Sequence, residues 1–229
     1  MLLRALTIVF DIPLRRKELK FFRGAMIKCA GSEQYLFHNH QGDGFVYKYP
    51  KIQYRIVAGR AAVYCLEQGV EQMIHLLSSG AVGQTVDIGE RKGVPLTIFR
   101  LSPVKLVADI VDEQVRYRIY DWLPFNQSNF QIYSSRQNDD QVLPMLNRIL
   151  TANILSFAKG VGWHIQSQVE CRIDPDTISS RIVKYKNQKL ISLSLEFTTN
   201  LLLPSKIGLG KGVSISHGLV SYNPKSEEE

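Results

Sequence analysis

Alternating apolar and polar positions open the chain. In residues 2–10, Leu6, Ile8 and Phe10 share one face of an extended strand, whose side chains point to either side in turn. Asp11-Ile12-Pro13 reads as a helix start, because aspartate can cap free N–H groups and proline fits a first turn. The period then changes. Over residues 14–29, Leu19, Phe22 and Met26 recur at helical spacing, and the opposite side carries Arg15, Arg16, Lys20 and Arg23. Gly31-Ser32 breaks that helix, residues 35–40 read as a strand, and Gln41-Gly42-Asp43-Gly44 is turn chemistry. Two β-rich runs, 52–57 and 61–66, flank Ala58-Gly59-Arg60 as a hairpin. Residues 67–79 form an amphipathic helix with Val70, Met73, Ile74 and Leu77 on its apolar face, and β structure returns over 82–100, interrupted by Arg91-Lys92-Gly93. The order β-α-β-β-α-β with one added strand is that of a ferredoxin-like domain.

The second half repeats the theme without sequence self-similarity. Residues 114–121 read as a strand and 122–136 as a long polar connection. Asp140 caps a helix reaching Lys159, with Leu143, Leu146, Leu150, Ile154 and Phe157 as its apolar stripe and Gly160 and Gly162 as its end. Strands follow at 169–173, 180–185 and 190–198, the last two joined by Lys186-Asn187-Gln188. The pattern predicts an α+β protein of two tandem ferredoxin-like (RRM-like) domains, 1–102 and 103–223, with no flexible linker between them and a disordered tail at 224–229.

Composition changes this picture little, and charge changes it more. The chain has 229 residues, 45% hydrophobic and 21% charged, as expected of a globular protein. The 28 Lys+Arg against 21 Asp+Glu give +7 and a pI near 9.3, favouring an anionic partner. Basic residues cluster at Arg15, Arg16, Lys17, Lys20, Arg23 and Lys28, and again at Lys48, Lys51, Arg55 and Arg60, interleaved with Tyr47, Tyr49 and Tyr54. Cations for phosphates beside rings for stacking suit single-stranded RNA; two solvated element faces would have the same composition. Cys29, Cys65 and Cys171 have neither metal-ligand nor disulfide-framework spacing, which fits a reducing cytoplasm. The apolar opening lacks a secretory leader, and no run approaches the roughly 18 apolar residues of a membrane span. A soluble, cytoplasmic protein is expected.

The candidate chemistry lies in KCAGSEQYLFHNHQGDGFVYKYP, residues 28–50. On a strand, His38 and His40 project from one face, and paired histidines can divide general base and general acid work near neutral pH. Such a pair can also be structural or hold zinc, though no third ligand stands nearby. The letters His-Asn-His are not the metal-dependent nuclease motif of that name, whose histidines lie farther apart. His75 falls off its helix's apolar face and reads as a solvated residue; His164, after Trp163, reads as structural. Near the C-terminus, IGLGKGVSISHG (207–218) sets Gly208, Gly210, Gly212 and Gly218 around Lys211, Ser214 and Ser216. Glycine lets backbone N–H groups approach phosphate and lysine neutralises its charge, although the P-loop register is absent and a tight turn would look similar.

These blocks together resemble one family. LFHNH followed by YKYPKIQY, the helix end NILSFAKGVGW (153–163) and the terminal GLGKGVS look like the b-type of CRISPR-associated endoribonuclease six, a repeat-RNA processing enzyme of the RAMP superfamily. The resemblance spans nearly the whole chain from FFRGAMI (21–27) onward. It implies two facing ferredoxin-like domains and metal-independent cleavage of precursor CRISPR RNA within each repeat, with no cofactor. It places the family's catalytic lysine, two histidines and tyrosine on Lys28, His38, His40 and Tyr47. RNA contacts fall on Arg23, Lys48, Gly208, Gly210, Lys211 and Ser214. Where the family's loop ends Gly-Phe-Gly, this chain has Ser216-His217-Gly218. Partners implied are precursor and mature guide RNA; a homodimer and association with other effector subunits stay open. A non-cutting RNA-holding RAMP subunit is the alternative, and a metal-dependent nuclease a weaker one.

Overall fold

A computed structural model describes residues 1–31, 35–38, 40–41, 44–45, 49–134 and 139–223, without the side chains of 35, 38, 40–41, 44–45, 132 and 139–140. The chain divides into two compact units: Leu2–Leu106 with Ser214–Ser216, and Met1 with Val107–Val213 and the residues from His217 onward.

The first unit begins with β1 (Leu2–Pro13), a 3₁₀ turn (Arg16–Glu18) and α1 (Leu19–Ala30). Next come α2 (Tyr35–His38), β2 (His40–Gln41), β3 (Gly44–Phe45), β4 (Ile52–Val57) and β5 (Arg60–Leu66). It closes with α3 (Gln68–Leu76), a wide turn (Leu77–Ala81), β6 (Thr85–Ile88), β7 (Arg91–Pro95) and β8 (Ile98–Val107). The main sheet runs β4-β5-β1-β8, the ferredoxin-like order, and β6-β7 is the added hairpin. The predicted β4–β5 hairpin forms with Val57 opposite Arg60. Both turn residues, Ala58 and Gly59, have positive φ, which lets a two-residue connection follow the strand twist. One sheet face and the helices enclose Phe10, Phe22, Met26, Tyr54, Val63 and Met73, with Phe22 edge-on to Phe10 and to Tyr54.

Three local readings are corrected here. Asp11, Ile12 and Pro13 continue β1; the helical start comes later, where the Glu18 carboxylate accepts from the Arg15 N–H at 2.9 Å. The β6–β7 turn falls at Gly89-Glu90, so Arg91-Lys92-Gly93 is strand, with Asp87 accepting from the Lys92 ammonium and the Gly93 N–H. Ile74 is 52% exposed, because α3 buries the stripe of Gly69, Met73 and Leu76 instead.

The second unit contains β9 (Asp109–Trp122), α4 (Gln127–Ser134), α5 (Asp139–Val161), β10 (Cys171–Tyr185), β11 (Gln188–Leu202) and β12 (Leu219–Tyr222). Its sheet runs β10-β11-β9-β12, again the ferredoxin-like order. Helix α4 lies inside the stretch expected to be a connection. Asn126 caps it through the Asn129 N–H at 2.8 Å, and Phe125 before the cap meets Phe130, a hydrophobic staple. Asp140 lies within α5 rather than capping it. The expected stripe of Leu146, Leu150, Ile154 and Phe157 is buried. The helix ends as a Schellman motif: Trp163 N–H to Ala158 O and Gly162 N–H to Lys159 O, with Gly162 at φ 78°. β10 is one bulged strand over both predicted runs. The tail 224–229 lies outside the described residues.

Between β11 and β12 the ferredoxin-like pattern calls for a helix, and the chain supplies the glycine-rich stretch with a short 3₁₀ turn (Val213–Ile215). Its glycines answer packing. A Cβ on Gly208 would stand 2.6 Å from Val213, one on Gly210 2.7 Å from the Trp122 indole nitrogen, and one on Gly218 1.9 Å from the Leu209 carbonyl oxygen. The Trp122 indole N–H meanwhile donates to Asn153 Oδ1 at 2.9 Å. We therefore expect unequal costs for two glycines that both have positive φ. Gly59→Ala, with open space around it, costs about 1 kcal/mol from backbone strain alone. Gly218→Ala costs about 3 kcal/mol or more, because overlap with backbone adds to the strain. Denaturant midpoints of the two variants against the parent check the ordering.

Candidate functional site

Lys28 stands exposed in the last turn of α1. That helix stops at Gly31, whose φ of 84° a side chain would resist. The Gly93 N–H and the Lys92 ammonium hold the Asp87 carboxyl below its usual range, and the Lys28 charge adds to this pull. Lys28 therefore works in the field between α1 and the β6–β7 hairpin.

The expected strand at 35–40 divides in two. Residues 35–38 form the single helical turn α2, and His40 opens β2, paired with Phe45 of β3. His38 and His40 thus lie in different elements, and strand alternation does not set their relation. The cause is an anchor: Phe37 is 2% exposed, and its carbonyl accepts a hydrogen bond from the Tyr54 hydroxyl at 3.3 Å. Tyr54 is fully buried on β4. Burial raises its pKa, a shift that the nearby Arg23 charge opposes, so at neutral pH the hydroxyl is a donor. Arg23, half-buried on α1, thereby lies near the same anchor. The side chains of His38 and His40, and all of Tyr47 and Lys48, lie outside the described residues.

Two further groups hold β4. The Ser216 hydroxyl donates to the Tyr54 carbonyl at 2.9 Å, and the Arg16 guanidinium donates to the Ser216 carbonyl at 3.1 Å. Arg16, exposed in the 3₁₀ turn as its reading on an outward basic face expects, makes this structural contact as well. On the same strand, Arg55 donates to Gln53 Oε1 at 2.7 Å, and the Gln53 amide donates to the Tyr49 hydroxyl at 3.1 Å. The Arg55 guanidinium stacks 3.9 Å from the centre of the Tyr64 ring. Burial pulls the Arg55 pKa down to about 10, which leaves it charged at neutral pH. Tyr49, Tyr54 and Arg55, read as pieces of an aromatic and basic surface, are buried. Arg60 pairs with Asp11 and lies over Phe99. Sequence proximity had grouped residues that strand geometry sends to opposite faces.

In the glycine-rich loop the Lys211 ammonium donates to the Phe125 carbonyl at 3.0 Å. An ammonium has three donors, so this bond orients Lys211 and leaves two N–H groups to other acceptors. Gly210 is exposed, Gly208 buried, and Ser214 half-buried. His217 is 7% exposed. Its Nδ1 lies 3.3 Å from the Asp121 carbonyl and its ring stands edge-on to Tyr185, so the imidazole fills an aromatic slot in the loop. The Gly218 N–H also donates to the Asp121 carbonyl. His75 is exposed, as its helix position predicts. Sequence reasoning placed Tyr54 on an aromatic surface and missed its anchoring role, since its hydroxyl has no local partner to betray it. It also missed Ser216's hold on β4, a contact across 162 residues.

Residues 1–94 match the Cas6b N-terminal domain and residues 109–222 the Cas6b C-terminal domain. A solved structure described as Cas6b superimposes with a TM-score of 0.82 at 25% identity, covering 97% of this chain and all of that one. A second, a CRISPR RNA processing endoribonuclease Cas6b, gives a TM-score of 0.70 at 24% identity over 97% of this chain and all of that one. Csf5, a type IV Cas6 crRNA endonuclease, shares the fold at a TM-score of 0.60 and 11% identity, over 98% of this chain and all of that one. An uncharacterized protein of Methanocaldococcus jannaschii is 28% identical over 112 residues, 48% of this chain and 74% of that protein. With both domain types matched in order along nearly its whole length, the chain belongs to the Cas6b family.

Proposed function

We propose that the protein is an endoribonuclease that cuts precursor CRISPR RNA within its repeats, without metal, and stays bound to the mature guide RNA. The observation that carries this reading is the anchored turn. A buried tyrosine fixes the carbonyl immediately before His38, and Lys28 stands at the end of the helix that precedes the turn.

The residue types meet the needs of the reaction. A base removes the proton of a ribose 2′-hydroxyl, whose oxygen attacks the adjacent phosphorus. The bond to the 5′-oxygen breaks as an acid protonates it, leaving a 2′,3′-cyclic phosphate and a 5′-hydroxyl. His38 and His40 supply base and acid, each worth about 10²–10⁴-fold. Lys28 stabilises charge on the phosphorane oxygens, and Tyr47 orients the phosphate. Arg23, Lys48, Gly208, Gly210, Lys211 and Ser214 are assigned to RNA binding, with Lys211 already aimed by its bond to Phe125. Association with other effector subunits or with a second copy belongs to this reading as an open extension.

Labelled repeat RNA incubated in EDTA tests the proposal. We expect one discrete cut, blocked by a single 2′-deoxy substitution at that position. His38→Ala and His40→Ala should each slow cleavage by roughly 10²-fold or more with RNA affinity retained, and each should remove one limb of a bell-shaped pH–rate profile. Lys28→Ala should lose rate far more than affinity. Retention without cutting across candidate repeats would instead identify an RNA-holding subunit.

The anchor predicts a milder effect. Tyr54→Phe keeps the packed ring and removes the hydroxyl that holds Phe37. Loss of about 1 kcal/mol of hydrogen bonding should lower the single-turnover cleavage rate about fivefold at unchanged RNA affinity.

A further inference from the structure

A recess opens between the end of α1 and one face of α3, with about 300 Å³ of space including its mouth. Gln72, His75, Leu76 and Ser79 line one wall, with Cys29 and Phe37 opposite. Gln72, His75 and Leu76 follow i, i+3, i+4 spacing on α3, and Ser79 extends the same stripe of wall from the wide turn that follows. A stripe facing a neighbouring helix is ordinarily apolar. Here three of its four residues are polar, while Ile74 on the same helix is 52% exposed. The Gln72 Oε1 atom is buried and, among the described residues, has no hydrogen-bond partner. A buried carbonyl oxygen without a donor is costly to maintain, and rotation of the half-buried side chain toward a donor in the recess would remove that cost. The Ser79 hydroxyl donates to the Leu76 carbonyl, leaving its oxygen as an acceptor. Phe37 immediately precedes His38, and Cys29 immediately follows Lys28.

We propose that this recess receives one unpaired nucleobase of the RNA, next to the cut, and reads its edge through the Gln72 amide. The proposal rests on the endoribonuclease reading above, because it takes its ligand class from that substrate. Phe37 and Leu76, both buried, form the apolar floor of the recess, while the half-buried Gln72 side chain turns its carbonyl to accept from a base N–H. The His75 ring stands at the exposed rim, where a base would pass. Unpaired bases are the part of RNA that a protein can recognise by edge contacts and stacking, and a carboxamide can pair with a base edge through two hydrogen bonds. Gln72 is thereby a specificity-determining residue, distinct from the groups that move protons.

The test uses a randomised single-stranded RNA library incubated with the parent, Gln72→Leu and Gln72→Ala proteins. Both the RNA retained on the protein and the cut products are sequenced, and thermal melting verifies that each variant is folded. The expected result is a base preference at one position in the parent, next to the cut where cutting occurs, that both variants flatten by roughly fivefold or more while preferences elsewhere persist. Placing an abasic nucleotide at that position should weaken retention by the parent and leave retention by the variants unchanged. Identical base profiles for parent and variants, or an equal abasic penalty in all three, would overturn the proposal. Retention with the expected profile but no cutting would overturn the endoribonuclease reading and leave the recess assignment standing.

Discussion

Tyr54 holds the first unit's candidate site in place from inside the core. Its ring packs edge-on to Phe22, its hydroxyl donates to the Phe37 carbonyl, and its own carbonyl accepts from Ser216. Leaving a buried phenol hydroxyl without an acceptor carries a free-energy cost, and the Phe37 carbonyl removes it for Tyr54. Folding residues 35–38 as a helical turn gives this hydroxyl an acceptor while keeping Phe37 buried. The shape of the segment that carries His38 therefore follows from the satisfaction of one buried donor. Edge strand β4 gains cover from the same arrangement, since Ser216 occupies a carbonyl that would otherwise be open to another strand.

The glycines of the 207–218 loop serve packing, and the RNA contact proposed for Lys211 builds on that packing. Gly208, Gly210 and Gly218 are required by neighbours that leave no room for a Cβ, so the glycines are explained without any ligand. Packing at that density makes the loop rigid, and Lys211 projects from it already oriented by Phe125. A fixed cation loses less freedom on meeting phosphate than one on a mobile loop. His217 is part of this framework through Asp121 and Tyr185.

Elements with strong periodicity were legible in the chain. The β4–β5 turn, the apolar stripe of α5 and its glycine stop all follow from local spacing and turn chemistry. The signal for α4 was also present: Phe125-Asn126 followed by Asn129-Phe130 is a cap with a staple, masked by the polar residues between them. Residues 35–40 failed for a different reason. Tyr and Phe favour strands on average, yet a four-residue segment has too little intrinsic preference to resist a tertiary hydrogen bond. Pro13 misled in the same way, since proline fits an edge or an irregular strand end as well as a first helical turn, and β1 shifts register between Val9 and Pro13.

By itself the sequence determined the strongly periodic strands and helices, the two-domain α+β plan and the blocks that mark the family, because periodicity, turn residues and motif spacing are properties of neighbouring positions. Only the tertiary structure decided which polar residues are tools and which are struts. Arg55 and Tyr49 share the composition of an RNA surface, yet both are buried and joined through Gln53, while Arg16 stays exposed and bonds to a residue 200 positions away. Gln72, His75 and Ser79 are unremarkable along the chain and converge on a recess only when α3 packs beside α1. Burial and partnership depend on distant segments meeting, and no local pattern encodes which ones do.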